Sequence, residues 1–148
     1  MFERMILSLV HTKGGVGKTT TSVFVACAAA AQGRDVMLLD ADPQGSASSW
    51  ADRAKHRGTP LPFPVVPVAA ADLAAVAAGG PAAGGLVVVD TPPGTAGVID
   101  AAIDAADLVI IPSGAAPADI DRVWPTLDLT THRATAILLT GVDLRTAL

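Results

Sequence analysis

Short apolar runs alternate with longer helix-type stretches along this chain. Four of the runs occupy residues 7–10, 37–40, 87–90 and 109–111, and most of their positions are apolar. Nearly continuous apolarity is typical of strands covered on both faces, as in a parallel sheet. The intervening stretches are rich in alanine and long enough for helices. The alternation predicts an α/β fold with three layers, in which helices flank a mainly parallel central sheet.

Proline residues and one serine indicate where several of the predicted helices and strands begin, end or break. We expect Ser46 to cap the helix that follows it, Pro112 to end its strand, and Pro125 to break a helix over residues 118–129. No boundary or repeat interrupts the pattern, so a single domain is expected. The remaining predicted elements are an edge strand at 65–68, helices at 69–78 and 98–106, and a last strand at 135–140.

Composition narrows the range of functions. The chain is 51% hydrophobic, yet its longest apolar run, residues 23–31, is too short to span a bilayer, so no membrane association is expected. The net charge of −4 does not favour tight binding of nucleic acid by the free chain. The single cysteine, Cys27, excludes a disulfide within the chain and a metal site made of cysteines alone.

A glycine-rich loop between the first strand and the first helix carries the main chemical signal. Its residues are Lys13, Gly14, Gly15, Val16, Gly17, Lys18, Thr19 and Thr20. Glycines let backbone N–H groups approach a phosphate closely, and the following helix adds partial positive charge. Lys18 is expected to reach the β- and γ-phosphates, and the Thr19 hydroxyl to bind Mg²⁺. The alternative is a chance glycine-rich turn.

The loop departs from the general phosphate-loop pattern in an informative way. That pattern needs glycine five residues before Gly17, where this chain has Thr12. The order Lys-Gly-Gly-Val-Gly-Lys-Thr, with a second lysine at Lys13, resembles the deviant form found in the ParA/MinD family of ATPases. The resemblance implies that Lys13 crosses to the partner's nucleotide in a face-to-face, ATP-dependent homodimer.

Two carboxylates follow the second predicted strand. Asp40 and Asp42 are separated by one residue, and Pro43 and Gln44 come next. Ligands of parallel sheets bind at the carboxyl ends of strands, so this segment should lie on the same edge as the glycine loop. The segment resembles a ParA Asp-x-Asp-Pro-Gln motif, which implies that Asp42 positions the attacking water and that Asp40 supports the metal. The alternative is an Asp-Pro turn that caps a helix.

A third landmark is the run Leu86 to Asp90, four apolar residues ending in a carboxylate. An aspartate in this setting normally contacts Mg²⁺ or its water shell. The following residues, Thr91-Pro92-Pro93-Gly94, also resemble the ParA/MinD pattern. A buried strand that ends in a turn aspartate is the alternative reading.

The resemblance is strongest to small ParA-type partition proteins. It implies ATP and Mg²⁺ as cofactors, a cytoplasmic or nucleoid-associated location, and a ParB-type partner; non-specific DNA is left open. The family domain normally continues with helices and a strand that complete the adenine pocket, so residues 1–148 are expected to form one domain without that part. Three hypotheses follow: an ATPase that acts as an ATP-driven dimer switch in partition, a nucleotide-binding or regulatory module without turnover, and an ATP-dependent metabolic ligase.

Overall fold

Helices and strands alternate along the part of the chain that the computed structural model describes, residues 3–143 and 145. The strands are β1 (Met5–Leu9), β2 (Val36–Asp40), β3 (Val65–Pro67), β4 (Leu86–Asp90), β5 (Leu108–Gly114) and β6 (Ala134–Thr140). The helices are α1 (Lys18–Ala31), α2 (Ser46–His56), α3 (Leu73–Ala78), α4 (Ala96–Ala105), α5 (Pro117–Ile120) and α6 (Val123–Leu129), and a 3₁₀ turn at Ala70–Asp72 precedes α3.

The strands form one parallel sheet in the order β3-β2-β4-β1-β5-β6. Strand β4 lies between β1 and β2, and its last residue, Asp90, is in register with Leu9 on one side and Asp40 on the other. The register therefore brings two of the predicted site carboxylates together at the carboxyl edge. The predicted α/β fold with a mainly parallel sheet is confirmed.

Side chains of the central strands pack on both faces of the sheet. On β4, Val87 and Val89 join the cluster formed with α3, α4 and α6, whereas Leu86 and Val88 join the cluster formed with α1 and α2. All four are buried. Two apolar faces explain why β4 is apolar at every position before Asp90, instead of alternating with polar residues.

Pro112 does not end β5, contrary to the sequence prediction. The strand continues to Gly114, and Pro112 pairs with Leu138 of β6. Strand β1 pairs with β5 only as far as Ile110, whose carbonyl accepts the N–H of Val10. Residues two apart share a side of a strand, so the missing N–H of Pro112 faces the side where β1 has already ended.

Two helix limits also differ from the prediction. The break in 118–129 lies between α5 and α6, and Pro125 is the third residue of α6, in the first turn, where its missing N–H is not needed. Ser46 is the first residue of α2 and not its cap: Gly45 occupies that position, with φ 64° and no side-chain cap.

Strands β3 and β6 are the two outermost strands of the sheet, and β6 is exposed on both faces. Ile137, Leu138 and Leu139 are exposed by 45%, 39% and 39%, although neighbouring residues of a strand point to opposite sides. Within the described residues, no helix is both long and apolar enough to cross a membrane. The predicted turn after β6 falls partly on residues 144 and 146, which lie outside the described part.

Candidate nucleotide site

At the end of the loop between β1 and α1, the N-terminus of α1 has no side-chain cap for its first backbone N–H groups. Gly15 and Gly17 have φ values of 74° and 94°, which only glycine adopts without strain. Gly17 caps α1 without a side-chain hydrogen bond, and the first turn carries no acidic residue. The first N–H groups of the helix, with its positive dipole end, are therefore available to an anion.

Lys18, the first residue of α1, is a buried cation. It is only 6% exposed, and its Nζ donates to the carbonyl of Lys13 at 3.0 Å. Burial lowers the pKa of Lys18, against the opposing influence of Asp90 and Asp42. Among the described residues it forms no ion pair. A buried ammonium that has a neutral acceptor but no paired carboxylate suits a phosphate group, which would supply the missing charge.

The side chains of Thr19 and Asp90 meet where a metal is predicted. The Thr19 hydroxyl donates to Asp90 Oδ2 at 2.6 Å, and Ser22 Oγ donates to Asp90 Oδ1 at 3.3 Å. Burial raises the pKa of Asp90 to about 6, and Asp40 adds to the rise, whereas the Thr19 and Ser22 hydrogen bonds lower it. A buried carboxylate with a raised pKa is one whose negative charge a cation would stabilise.

Mg²⁺ fits this donor set without a protein cage. The described residues contain no group of three or more His, Cys, Asp or Glu side chains able to hold a metal alone. Mg²⁺ is commonly held by one or two protein oxygens together with nucleotide phosphates and water. The Thr19 hydroxyl and the Asp90 carboxylate could supply those protein oxygens.

Asp40 is already engaged with α2. Its Oδ2 accepts hydrogen bonds from the Ser48 N–H at 2.8 Å and the Ser48 hydroxyl at 2.6 Å, and its Oδ1 accepts from the Asp42 N–H at 3.3 Å. The side chain is buried, in register beside Asp90. The contacts show that Asp40 fixes the first turn of α2 to the end of β2; a contact with the metal stays a prediction.

Asp42 faces the glycine loop. It lines a cavity of about 330 Å³ together with Lys18, Thr19, Ser46 and residues of the loop and of the β4–α4 turn. Its Oδ1 accepts the N–H of Gln44 at 2.9 Å, which holds the carboxylate in a tight local turn. One oxygen is thus anchored while the side chain remains on the wall of the cavity. This position is compatible with the predicted contact to a water molecule.

Lys13 is held within its own chain. Its ammonium is hydrogen-bonded to the carboxylate of Asp119, 106 residues away in sequence, and this bond lowers the pKa of Asp119. The backbone N–H of Lys13 donates to Nδ1 of the buried His11 at 2.9 Å. The sequence analysis gave no role to Asp119 or His11. A short motif around Lys13 carries no signal for a partner so far along the chain.

The rest of the loop is supported by β6. The hydroxyl of Thr140 donates to the carbonyl of the buried Val16 at 3.1 Å. Thr20 lies on the wall of the cavity described above. A second cavity, of about 780 Å³, lies between Lys13, Val16, the β5–α5 loop and the end of β6, and Gly15 lines both cavities. Its size is within the range of small-molecule sites.

The family model described as the CobQ/CobB/MinD/ParA nucleotide binding domain matches residues 7–142. The chain belongs to this family. Maintenance of carboxysome distribution protein A of Gloeobacter kilaueensis is 42% identical in an alignment that is 148 positions long. The alignment covers 95% of this chain and 64% of that relative. The chain therefore spans less than two thirds of the relative's length.

Solved structures show the same fold at low identity. A plasmid partition protein from Borrelia burgdorferi superimposes with a TM-score of 0.76 at 16% identity, covering 96% of this chain and 80% of that one. Cobyrinic acid a,c-diamide synthase from Mycobacterium smegmatis, with bound ADP and magnesium, gives a TM-score of 0.74 at 22% identity, covering 99% and 77%. At these identities the likeness concerns the fold alone.

Proposed function

We propose that this member of the CobQ/CobB/MinD/ParA family is a Mg²⁺-dependent ATPase of the ParA type that dimerises on ATP. The observation that carries the proposal is the buried Lys18 ammonium, which lies at a helix N-terminus without a side-chain cap and forms no ion pair with a described residue. A polyphosphate supplies the charge that both features favour. The match of residues 7–142 to the family's nucleotide-binding domain, and the resemblance of the loop to the deviant ParA/MinD form, support ATP as the ligand.

Each predicted residue has a separable task in this proposal. Gly14 to Thr20 would bind the phosphates through backbone N–H groups, and Lys18 would neutralise charge on the β- and γ-phosphates. Thr19 and Asp90 would hold Mg²⁺, which when bound withdraws charge from the phosphate oxygens. Asp42 would orient the water molecule that attacks the γ-phosphate.

Lys13 would act only after leaving Asp119. In a dimer with two-fold symmetry, the same loop of each chain faces the other, so both lysines would cross together. Each would then stabilise charge that develops on the partner's phosphoryl group. We propose that the dimer acts in the cytoplasm to position plasmid, chromosome or other cargo, with a ParB-type partner and with DNA as a candidate surface.

One contact supports a second candidate function, nucleotide binding without turnover. The ion pair between Lys13 and Asp119 keeps the predicted catalytic lysine within its own chain. A chain that retained this pair with nucleotide bound would be a nucleotide-binding module without turnover.

Steady-state ATP turnover, measured by phosphate release with and without DNA, tests the proposal and separates the two functions. We expect Mg²⁺-dependent release that Lys18→Ala abolishes. Nucleotide binding without release in any of these conditions would favour the binding module. Absence of both binding and release would contradict the two functions together.

A further inference from the structure

One face of α2, remote in sequence from the glycine loop, combines an aromatic side chain with two arginines. Trp50 and Arg53 are three residues apart in α2, and Arg57, the residue that caps the helix, comes four residues after Arg53, so the three lie on one face. With Ala54 and Thr59 they line a cavity of about 440 Å³. We call this the α2 face. It shares no lining residue with the two cavities at the glycine loop.

The side chains of the two arginines of the α2 face are unpaired within the described part of the chain. Neither Arg53 nor Arg57 forms a side-chain hydrogen bond or an ion pair with any residue that the structure describes. The chain carries 14 acidic residues against 10 basic ones, so carboxylates are plentiful. By contrast, Arg34 donates to two backbone carbonyls. The α2 face therefore keeps two guanidinium groups exposed and free to bind a carboxylate.

An aromatic pair forms the apolar part of the same surface. Trp50 lies edge-to-face against Phe24 of α1, with ring centroids 6.1 Å apart and an interplanar angle of 74°. Phe24 is 62% exposed, the largest exposed fraction among the large hydrophobic residues that the structure describes. Tryptophan and arginine are the residues that contribute most often to protein–protein hot spots. The α2 face thus has both an apolar anchor point and a cationic rim.

We propose that the α2 face is a docking site for an acidic peptide segment of a partner protein, with an apolar side chain against Trp50 and carboxylates on Arg53 and Arg57. Bidentate guanidinium–carboxylate pairs fit two arginines that border one cavity. Nucleic acid fits less well, because it requires cations spaced along many phosphates, whereas this cavity is bordered by two guanidinium groups. Charge complementarity therefore favours the acidic peptide.

The contacts at the other end of α2 suggest what such a partner could regulate. The first turn of α2 is bonded to Asp40 through Ser48, and the Gly45 N–H donates to the carbonyl of Asp42 at 2.8 Å. A peptide that shifts or steadies α2 would act on the segment that carries Asp42. This regulatory consequence rests on the proposed ATPase function, whereas the docking site itself does not.

Selection from a random 12-residue peptide library against the full chain, without nucleotide, tests the docking site. We expect enrichment of peptides that combine Asp or Glu with an aromatic or aliphatic residue. Fluorescence anisotropy of an enriched peptide should show about tenfold or greater weakening by Arg53→Glu and by Arg57→Glu. Lys55→Glu is the matched control, since it makes the same charge change on the same helix without lining the cavity.

Enriched peptides without acidic residues, or equal weakening by Lys55→Glu, would overturn the proposal. Duplex DNA of 24 base pairs serves as the competing probe. If the duplex binds while no peptide is enriched, and Arg53→Glu abolishes its binding, the occupant is nucleic acid and the proposal fails. Phosphate release measured with the peptide bound should change if α2 regulates Asp42; unchanged release with an active enzyme would overturn the regulatory consequence alone.

Discussion

Lys13 and Lys18 lie five residues apart in one loop and meet different surroundings. The Lys18 ammonium is buried against the Lys13 carbonyl, whereas the Lys13 ammonium is on the surface side, paired with Asp119. Their substitution should therefore have different effects. A change at Lys18 should act on nucleotide binding, and a change at Lys13 should act on steps that involve a second chain.

Lys18→Ala is expected to weaken Mg·ATP binding by about 2–3 kcal/mol, roughly 30- to 150-fold. The substitution removes a charge-assisted hydrogen bond to phosphate from a buried position. Isothermal titration calorimetry measures the loss, with Lys13→Ala as the control that should bind nucleotide nearly as well as the wild type. Unchanged affinity in Lys18→Ala would show that the site is elsewhere.

Asp42→Ala should bind ATP normally and lower kcat by about 100-fold or more. Orientation of the attacking water matters in the transition state and little in the ground state. Single-turnover phosphate release, combined with a binding titration, separates the two effects. A parallel loss of affinity and rate would instead assign Asp42 to structure or to the metal.

Asp90→Asn should stabilise the nucleotide-free chain at pH 8 while weakening Mg²⁺-dependent nucleotide binding. The folded-state pKa is raised from 3.8 to about 6, so the stability linked to Asp90 is fully present below pH 3.8 and is lost as the pH rises through about 6. Removing the buried charge should recover stability on the order of 1–3 kcal/mol. Urea unfolding at pH 8 and pH 5 measures the gain, which should be smaller at pH 5.

Asp128→Asn is the control for that measurement, because its carboxylate is exposed. It should leave stability within about 0.5 kcal/mol of the wild type. A destabilised Asp90→Asn at pH 8 would mean that its hydrogen bonds to Thr19 and Ser22 outweigh the cost of burying the charge.

At the scale of elements, strand β4 and helix α5 mark what the sequence could and could not predict. Strand β4 was predictable because burial on both faces makes every position before Asp90 apolar. The parallel arrangement predicted that strand-end residues share one edge of the sheet, whereas the pairing of β2 with β4, which puts Asp90 beside Asp40, was not predicted. The ion pair from α5 to Lys13 was not predictable, since it depends on how a loop folds back across 106 residues. Pro112 and Pro125 were misjudged because the tolerance of a proline depends on whether its missing N–H is needed: that of Pro112 faces the side where β1 has ended, and that of Pro125 lies in the first turn of α6.

Asp119→Asn should strengthen the ATP-dependent dimer several-fold. The substitution removes, in each of the two chains, the intrachain partner that competes for Lys13, and a solvent-exposed ion pair of this kind is weak. Sedimentation equilibrium with a non-hydrolysable ATP analogue measures the dimer constant. Asp121→Asn, two residues further along, changes an exposed carboxylate that has no ion pair among the described residues, so it is the matched control. A weaker dimer in Asp119→Asn would place Asp119 in the interface itself.

At the scale of the molecule, the candidate site lies on an open edge of the sheet. Gly14, Gly15, Thr20 and Pro93 line the cavity of about 330 Å³ at the glycine loop and are all exposed. A single copy would therefore leave a phosphate bound there open to bulk water. A second copy facing the same edge would exclude water and bring a second Lys13 to the site, which is how dimerisation and catalysis would be coupled.

The mass of the chain in solution, measured by light scattering with and without a non-hydrolysable ATP analogue and Mg²⁺, tests this account most directly. The wild type should have the mass of one chain, 14.8 kDa, without nucleotide and twice that mass with the analogue. Lys13→Ala serves as the comparison, since it should bind the analogue and turn over poorly. A wild type that binds the analogue yet stays at 14.8 kDa at high concentration would contradict the ATP-driven dimer.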